Sequence, residues 1–297
     1  MVTEQERNMT IPTTNPSVGT MLESSLRDIG IPPRPEILDR IRSEIKKDEP
    51  DFNRISHIIS SDVSLAASLI KTANSPYFGI RNRVRSVKEA LVMLGLDTTS
   101  RTIAGIILRR IFPSTPHLER FWSASACVAR LSGWLAQRVT QKKLRPDDAY
   151  TFGLFRDCGI PILLARFPGY DNVLTEANRE TNRSFTAVEE AKVPTNHAML
   201  GCMLAQSWWL PEETCLAIRH HHDVSVIELD SINPPLSSRY QIAVAQFAEY
   251  LMQQHSGLSH TQEWPKLGSA CLRLLNIDEA EVADIQTEAI PVIEEED

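Results

Sequence analysis

Residues 61–79 read Ser61-Asp62-Val63-Ser64-Leu65-Ala66-Ala67-Ser68-Leu69-Ile70-Lys71-Thr72-Ala73-Asn74-Ser75-Pro76-Tyr77-Phe78-Gly79. Leu65, Leu69 and Ala73 recur every four residues, which puts them on one face of a helix. Asp62 is placed to cap that helix, because its carboxylate can accept from the exposed N–H groups of the first turn. Asn74-Ser75-Pro76 ends it, since proline disfavours helical backbone at the residue before it. The same period extends outward from this helix. Ile37, Ile41 and Ile45 follow the proline-rich entry Ile31-Pro32-Pro33-Arg34-Pro35, and Phe52, Ile55 and Ile59 make another apolar face. Ser86-Val87-Lys88-Glu89 has capping-box spacing, with Gly95 as the stop. Asp97 is expected to cap the next helix, through Ile103, Ile107 and Ile111 to Pro113. The spacing predicts about five short helices before Pro116.

Longer helices are expected after Pro116. Residues 116–139 carry Phe121, Val128, Leu131 and Leu135 inward. Residues 146–167 read as one helix, with Pro161 as a kink. Shorter helices follow over 170–180, 186–192, 195–208 and 211–222, then 240–254 and 265–275. Residues 224–238, with Pro234-Pro235, read as a loop. No alternating pattern long enough for a useful strand occurs. The expectation is an all-α protein: a flexible segment 1–20, a helical part 21–115, a second helical part 116–277 and an acidic tail 278–297.

The formal charge is −7, from 31 Lys and Arg against 38 Asp and Glu over 297 residues. Nine of the acids lie in residues 278–297, which hold no base. The body is therefore close to neutral, against the balance of a general nucleic-acid binder. No apolar stretch has the roughly 18 residues of a membrane span. The polar N-terminal residues lack the core of a signal peptide, so a cytoplasmic location is expected. Five widely spaced cysteines without a Cys-x-x-Cys pair fit reduced thiols. There is no phosphate-binding glycine loop and no nucleophile elbow.

Three clusters could carry chemistry. Arg219-His220-His221-His222-Asp223 offers imidazoles to a metal. Adjacent helical residues diverge by about 100°, however, so one ion cannot easily take all three. The competing reading is a set of polar groups at a helix C-terminus. Phe155-Arg156-Asp157-Cys158-Gly159 places a charged pair in an apolar run, where unpaired burial is costly. Arg81, Arg83, Arg85 and Lys88, with Arg101, Arg109 and Arg110 beyond, form a candidate anion-binding patch. The bland reading, a solvated face, suits the near-neutral body better.

Residues 61–79 also strongly resemble the HDOD family. So do the spacing to Ser86, Glu89 and Ala90, then Leu94-Gly95-Leu96-Asp97, Ala149, Gly153-Leu154 and Asp157-Cys158-Gly159. Trp208-Trp209-Leu210-Pro211 and Ala217-Ile218-Arg219-His220-His221-His222 complete a likeness over residues 21–255. The resemblance implies an N-terminal helical bundle packed on a helical domain related to the HD phosphohydrolases. It also implies a bacterial, cytoplasmic signal-transduction role beside sensor kinases or cyclic-di-GMP machinery, usually without catalysis.

HD enzymes converge His and Asp on divalent metal, which activates water. By the resemblance, Ala124 stands at the first metal histidine and Arg156-Asp157 at the His-Asp pair. His197, His221 and His222 match the later histidines, and Gln246 stands at the final aspartate. Arginine cannot ligate a cation. The resemblance thus implies a degenerate site with no catalytic residue, no bound metal and no cofactor. Arg156, in the cation's place, is expected to tie Asp157 or another nearby acceptor to the retained helices. In a softer form, Arg156 and protonated histidines hold a phosphate. The leading expectation is a non-enzymatic regulatory module acting through protein–protein contact, with neither membrane nor nucleic acid as partner. One rival is a residual metal-dependent cyclic-dinucleotide phosphodiesterase recruiting His220 or Asp223. The other is a nucleotide or nucleic-acid binder using Arg81–Lys88.

Overall fold

The computed structural model describes residues 29–79, 83–139, 144–228, 234–258 and 260–295. Among these residues the chain is helical, without strands. Five helices make the first half: α1 Glu36–Ile45, α2 Phe52–Ser60, α3 Val63–Ala73, α4 Val87–Leu94 and α5 Leu96–Ile111. The stretch 61–79 behaves as its pattern requires. Asp62 accepts from the Leu65 amide at 2.9 Å, Leu65, Leu69 and Ala73 are buried, and the helix stops at Asn74. The Asn74 side chain then exchanges two 2.8 Å hydrogen bonds with the Val84 backbone, fixing segment 83–85 beside the end of α3.

The second half contains α6 Pro116–Val139, α7 Pro146–Phe155, α8 Ile160–Arg166, α9 Tyr170–Arg179 and α10 Phe185–Glu190. It continues with α11 His197–Ser207, α12 Glu212–His220, α13 Val224–Glu228, α14 Leu236–Ser256, α15 Glu263–Leu275 and α16 Glu279–Ile293. Helices α6, α7 and α14 pack together as its centre, α12 lies against α7 and α14, and α5 joins this centre to the first half through α7. The apolar core is continuous from Ile41 and Leu69 to Phe152 and Phe247. No single helix among the described residues is long and apolar enough to cross a membrane. All five cysteines are buried and unpaired with one another.

Four local expectations are corrected. Asp97 lies within the first turn of α5, which begins after Gly95 instead. Residues 146–167 form two helices, and Pro161 occupies the first turn of the second, where a missing N–H costs nothing. Segment 224–238 holds the short α13 and the beginning of α14. The acidic stretch 278–297 contains α16, opened by a capping box between Asp278 and Glu281. Its Ile285 and Ala289 are buried, and it packs on α6 and α14, so its charges line the outer face of a docked helix. The expected flexible segment 1–20 lies outside the described residues.

Candidate functional site

The break between α7 and α8 presents Arg156 and Asp157. Within it Gly159 lies against the backbone of α11, where a Cβ would collide with the His197 carbonyl oxygen. That close approach brings Asp157 to the first residue of α11, whose N-cap is Asn196. His221 and His222 arrive from the C-terminal end of α12.

Three imidazoles face one another. His197 Nε2 lies 3.2 Å from His221 Nε2 and 3.1 Å from His222 Nε2. Asp157 Oδ1 lies 3.2 Å from His221 Nε2 and 3.6 Å from His197 Nε2. Every other ring nitrogen is held from behind by an acceptor. His197 Nδ1 donates to Glu189 at 2.8 Å, His221 Nδ1 to the Ile218 carbonyl at 2.7 Å and His222 Nδ1 to Glu263 at 2.5 Å. These partners put the proton on Nδ1 in all three rings. The Nε2 atoms face one another and Asp157 Oδ1, an arrangement that a shared proton or a bound cation would satisfy. Tyr170 braces the arrangement by donating to the other oxygen of Glu189.

A single proton is one such cation. Burial opposes charge on His197, but the carboxylates of Glu189, Asp157 and Glu263 outweigh it and raise its pKa. His222 goes the other way, lowered by burial and by the neighbouring imidazoles. A divalent metal is the other. Asp157, His197, His221 and His222 offer four donor atoms all within 4.8 Å of one another. Tetrahedral zinc with bonds of about 2.0 Å has ligand–ligand edges of roughly 3.3 Å, close to the nitrogen separations here. Nδ1–H bonds to carboxylate or carbonyl are also the usual outer support of metal-bound histidine. These residues fit one ion. The broken likeness implied no metal, but the four retained donors still meet on a common point.

Arg156 sits outside this cluster. Its Nη1 and Nη2 each lie 3.0 Å from a Glu249 oxygen, and its Nε lies 3.0 Å from Asp157 Oδ2, an ion pair without hydrogen-bond alignment. The guanidinium therefore turns one oxygen of Asp157 away from the histidines and joins the 156–159 turn to α14. Burial opposes ionisation of Asp157, yet Arg156 and the histidines hold its carboxyl well below the usual range.

The family model for the HDOD domain matches residues 31–224. The chain belongs to the HDOD family. An uncharacterised protein of Treponema pallidum is 27% identical over 219 residues, 73% of this chain and 42% of that relative's length. An HDOD structure of unknown function from Geobacter sulfurreducens shares 23% identity, covering 92% of this chain and 95% of its own at a TM-score of 0.64. A Shewanella amazonensis structure, named only provisionally as a phosphohydrolase, shares 17% identity, covering 92% and 97% at 0.66. At these identities the two structures show a shared fold.

The HDOD scaffold places the remaining expected residues unevenly. Gln246 is buried on α14 and its amide donates to the His221 carbonyl at 3.2 Å, bracing the cluster without joining it. Ala124, half-buried on α6, packs against the core and carries no donor. His220 and Asp223 are absent from the four-donor group; Asp223 instead accepts from the Ser225 amide and hydroxyl. Arg83 and Arg85 line a separate cleft, of which Lys88 is not part, and Arg81 lies outside the described residues. Sequence reasoning missed Glu189, Glu249 and Glu263. Glu249 had one legible signal: it is the single charged residue in the apolar run Ile242–Leu251 of α14, three positions beyond Gln246.

Proposed function

We propose that this HDOD protein is a non-enzymatic regulatory module of a signalling pathway, acting through contacts with other proteins. Arg156 is the observation that carries the reading. Where an HD enzyme keeps a metal-binding histidine, a buried guanidinium is pinned to Asp157 and Glu249. With Ala124 and Gln246 also lacking a ligand atom of the required kind, one sphere of four protein donors remains. Four protein ligands close a tetrahedral ion, whereas a catalytic ion keeps a position open for water or substrate. Any ion held here would cross-link the 156–159 turn, α11 and the end of α12. Partners in sensor-kinase or cyclic-di-GMP signalling remain the expectation from the family.

The test is hydrolysis of cyclic dinucleotides and of a chromogenic phosphodiester, with manganese or zinc added. The expected result is no turnover above that of the metal alone. Turnover abolished by His221→Ala would reverse the reading in favour of a residual phosphodiesterase. That second reading draws on the convergence of Asp157, His197, His221 and His222.

A further inference from the structure

A cleft of about 1510 Å³ opens on the molecule apart from the histidine cluster, lined by α3, segment 83–85, α5 and α6. Its apolar lining includes Ile70, Ile106, Trp122 and Leu154. Its cationic lining comprises Lys71, Arg83, Arg85, Arg109, Arg110 and Arg130. Arg109 pairs with Glu119 and Arg110 with Asp62. Lys71, Arg83 and Arg85 are exposed and form no ion pair among the described residues. Segment 83–85 is not loose, since Asn74 clamps Val84 between the two arginines.

One carboxylate already occupies this cleft. Glu295, just beyond α16, accepts from Ser75 Oγ at 2.5 Å, and Arg130 donates to its backbone carbonyl at 2.8 Å. Its side chain is only 13% exposed, and it belongs to the acidic run 294–297. Ser75 and Arg130 thus hold an acidic residue of the chain's own in the cleft.

We propose that this cleft docks an acidic, partly apolar segment of a partner protein, and that Glu295 competes with that segment for the cleft. The inference rests on the reading of the chain as a contact module and supplies the chemistry of the contact. A peptide suits the space better than a small molecule, whose sites measure roughly 300–1,000 Å³. Apolar lining between separated cations also matches acids alternating with apolar side chains. A nucleic acid would instead meet Glu119, Glu295 and a net charge of −7.

The probe is a fluorescent synthetic peptide of residues 288–297, tested by anisotropy against the full chain. A variant carrying Glu295→Ala should bind it about ten-fold more tightly than wild type. Adding Arg83→Ala and Arg85→Ala should remove that gain, as should high salt. A peptide with glutamines in place of its glutamates should not bind. Absence of binding to the acid-depleted variant, or binding indifferent to Arg83 and Arg85, overturns the proposal. So does an RNA oligonucleotide binding through those arginines where the peptide fails. Both arginines are exposed, and melting curves check that the variants fold. Hydrolytic turnover would overturn the non-enzymatic reading by a separate readout, leaving the peptide result to stand or fall alone.

Discussion

Arg156 is a buried charge at the edge of the histidine cluster. It is 6% exposed, and its charge is met by Asp157 and Glu249. Truncating one member of such a pair strands the other charges in a low-dielectric interior, at a cost of about 3–5 kcal/mol. Arg156→Ala should therefore lower the urea midpoint strongly, whereas Arg156→Ala with Glu249→Gln should recover part of the loss. A double change no better than the single one would mean that the pair does not act as a unit. Asp157 adds a pH dependence with a definite sign. Its folded pKa is held below the ordinary value, so its stabilisation is complete above about pH 4 and lost as pH falls through and below that value. Asp157→Asn should flatten the acid limb of a stability–pH profile. Asp157, His197, His221 and His222 were named together by the resemblance to the HDOD family, and the fold brings their donor atoms within 4.8 Å of one another. Glu249 was not assigned, because its partner lies 93 residues away and no local periodicity records such a pairing. Of the three adjacent histidines, His221 and His222 reach the cluster and His220, the last residue of the helix proper, does not.

At the scale of elements, apolar spacing located the helices and misjudged their joints. Residues 146–167 carry an unbroken helical pattern, and proline was the visible candidate for a kink. The break at 156–159 coincides with the close approach of Gly159 to the backbone of α11, a long-range contact that helical periodicity does not record. Gly159→Ala should cost about 1–3 kcal/mol or more, because the obstructing atom is a backbone carbonyl that cannot swing aside. It should also loosen the Asp157–His221 contact. Denaturant unfolding measures the first effect, and histidine NMR shifts measure the second. A neutral Gly159→Ala would show that the turn is not held by this approach. The acidic stretch 278–297 was misread for a related reason. Its charge pattern dominates its composition, while Ile285 and Ala289 are few enough to escape a periodicity count and still suffice to dock α16.

At the scale of the whole molecule, the histidine cluster is a junction. It gathers the 156–159 turn, α11 and the end of α12 directly, α10 through Glu189 and α15 through Glu263. These elements share one large core, which keeps the chain folded whether the cluster holds a proton or an ion. An ion would displace the proton favoured on His197, so uptake should release protons near neutral pH. One equivalent of zinc per chain should bind. Free zinc at about a hundred times its dissociation constant should stabilise the fold by about 2.7 kcal/mol, reversibly with chelator. His222→Ala should abolish this increment while leaving a folded protein. Calorimetric titration gives the stoichiometry, and thermal melts give the stabilisation. Two bound equivalents would overturn the non-enzymatic reading. No binding would leave the cluster as a proton-centred junction, with Arg156 and His197 supplying its positive charge.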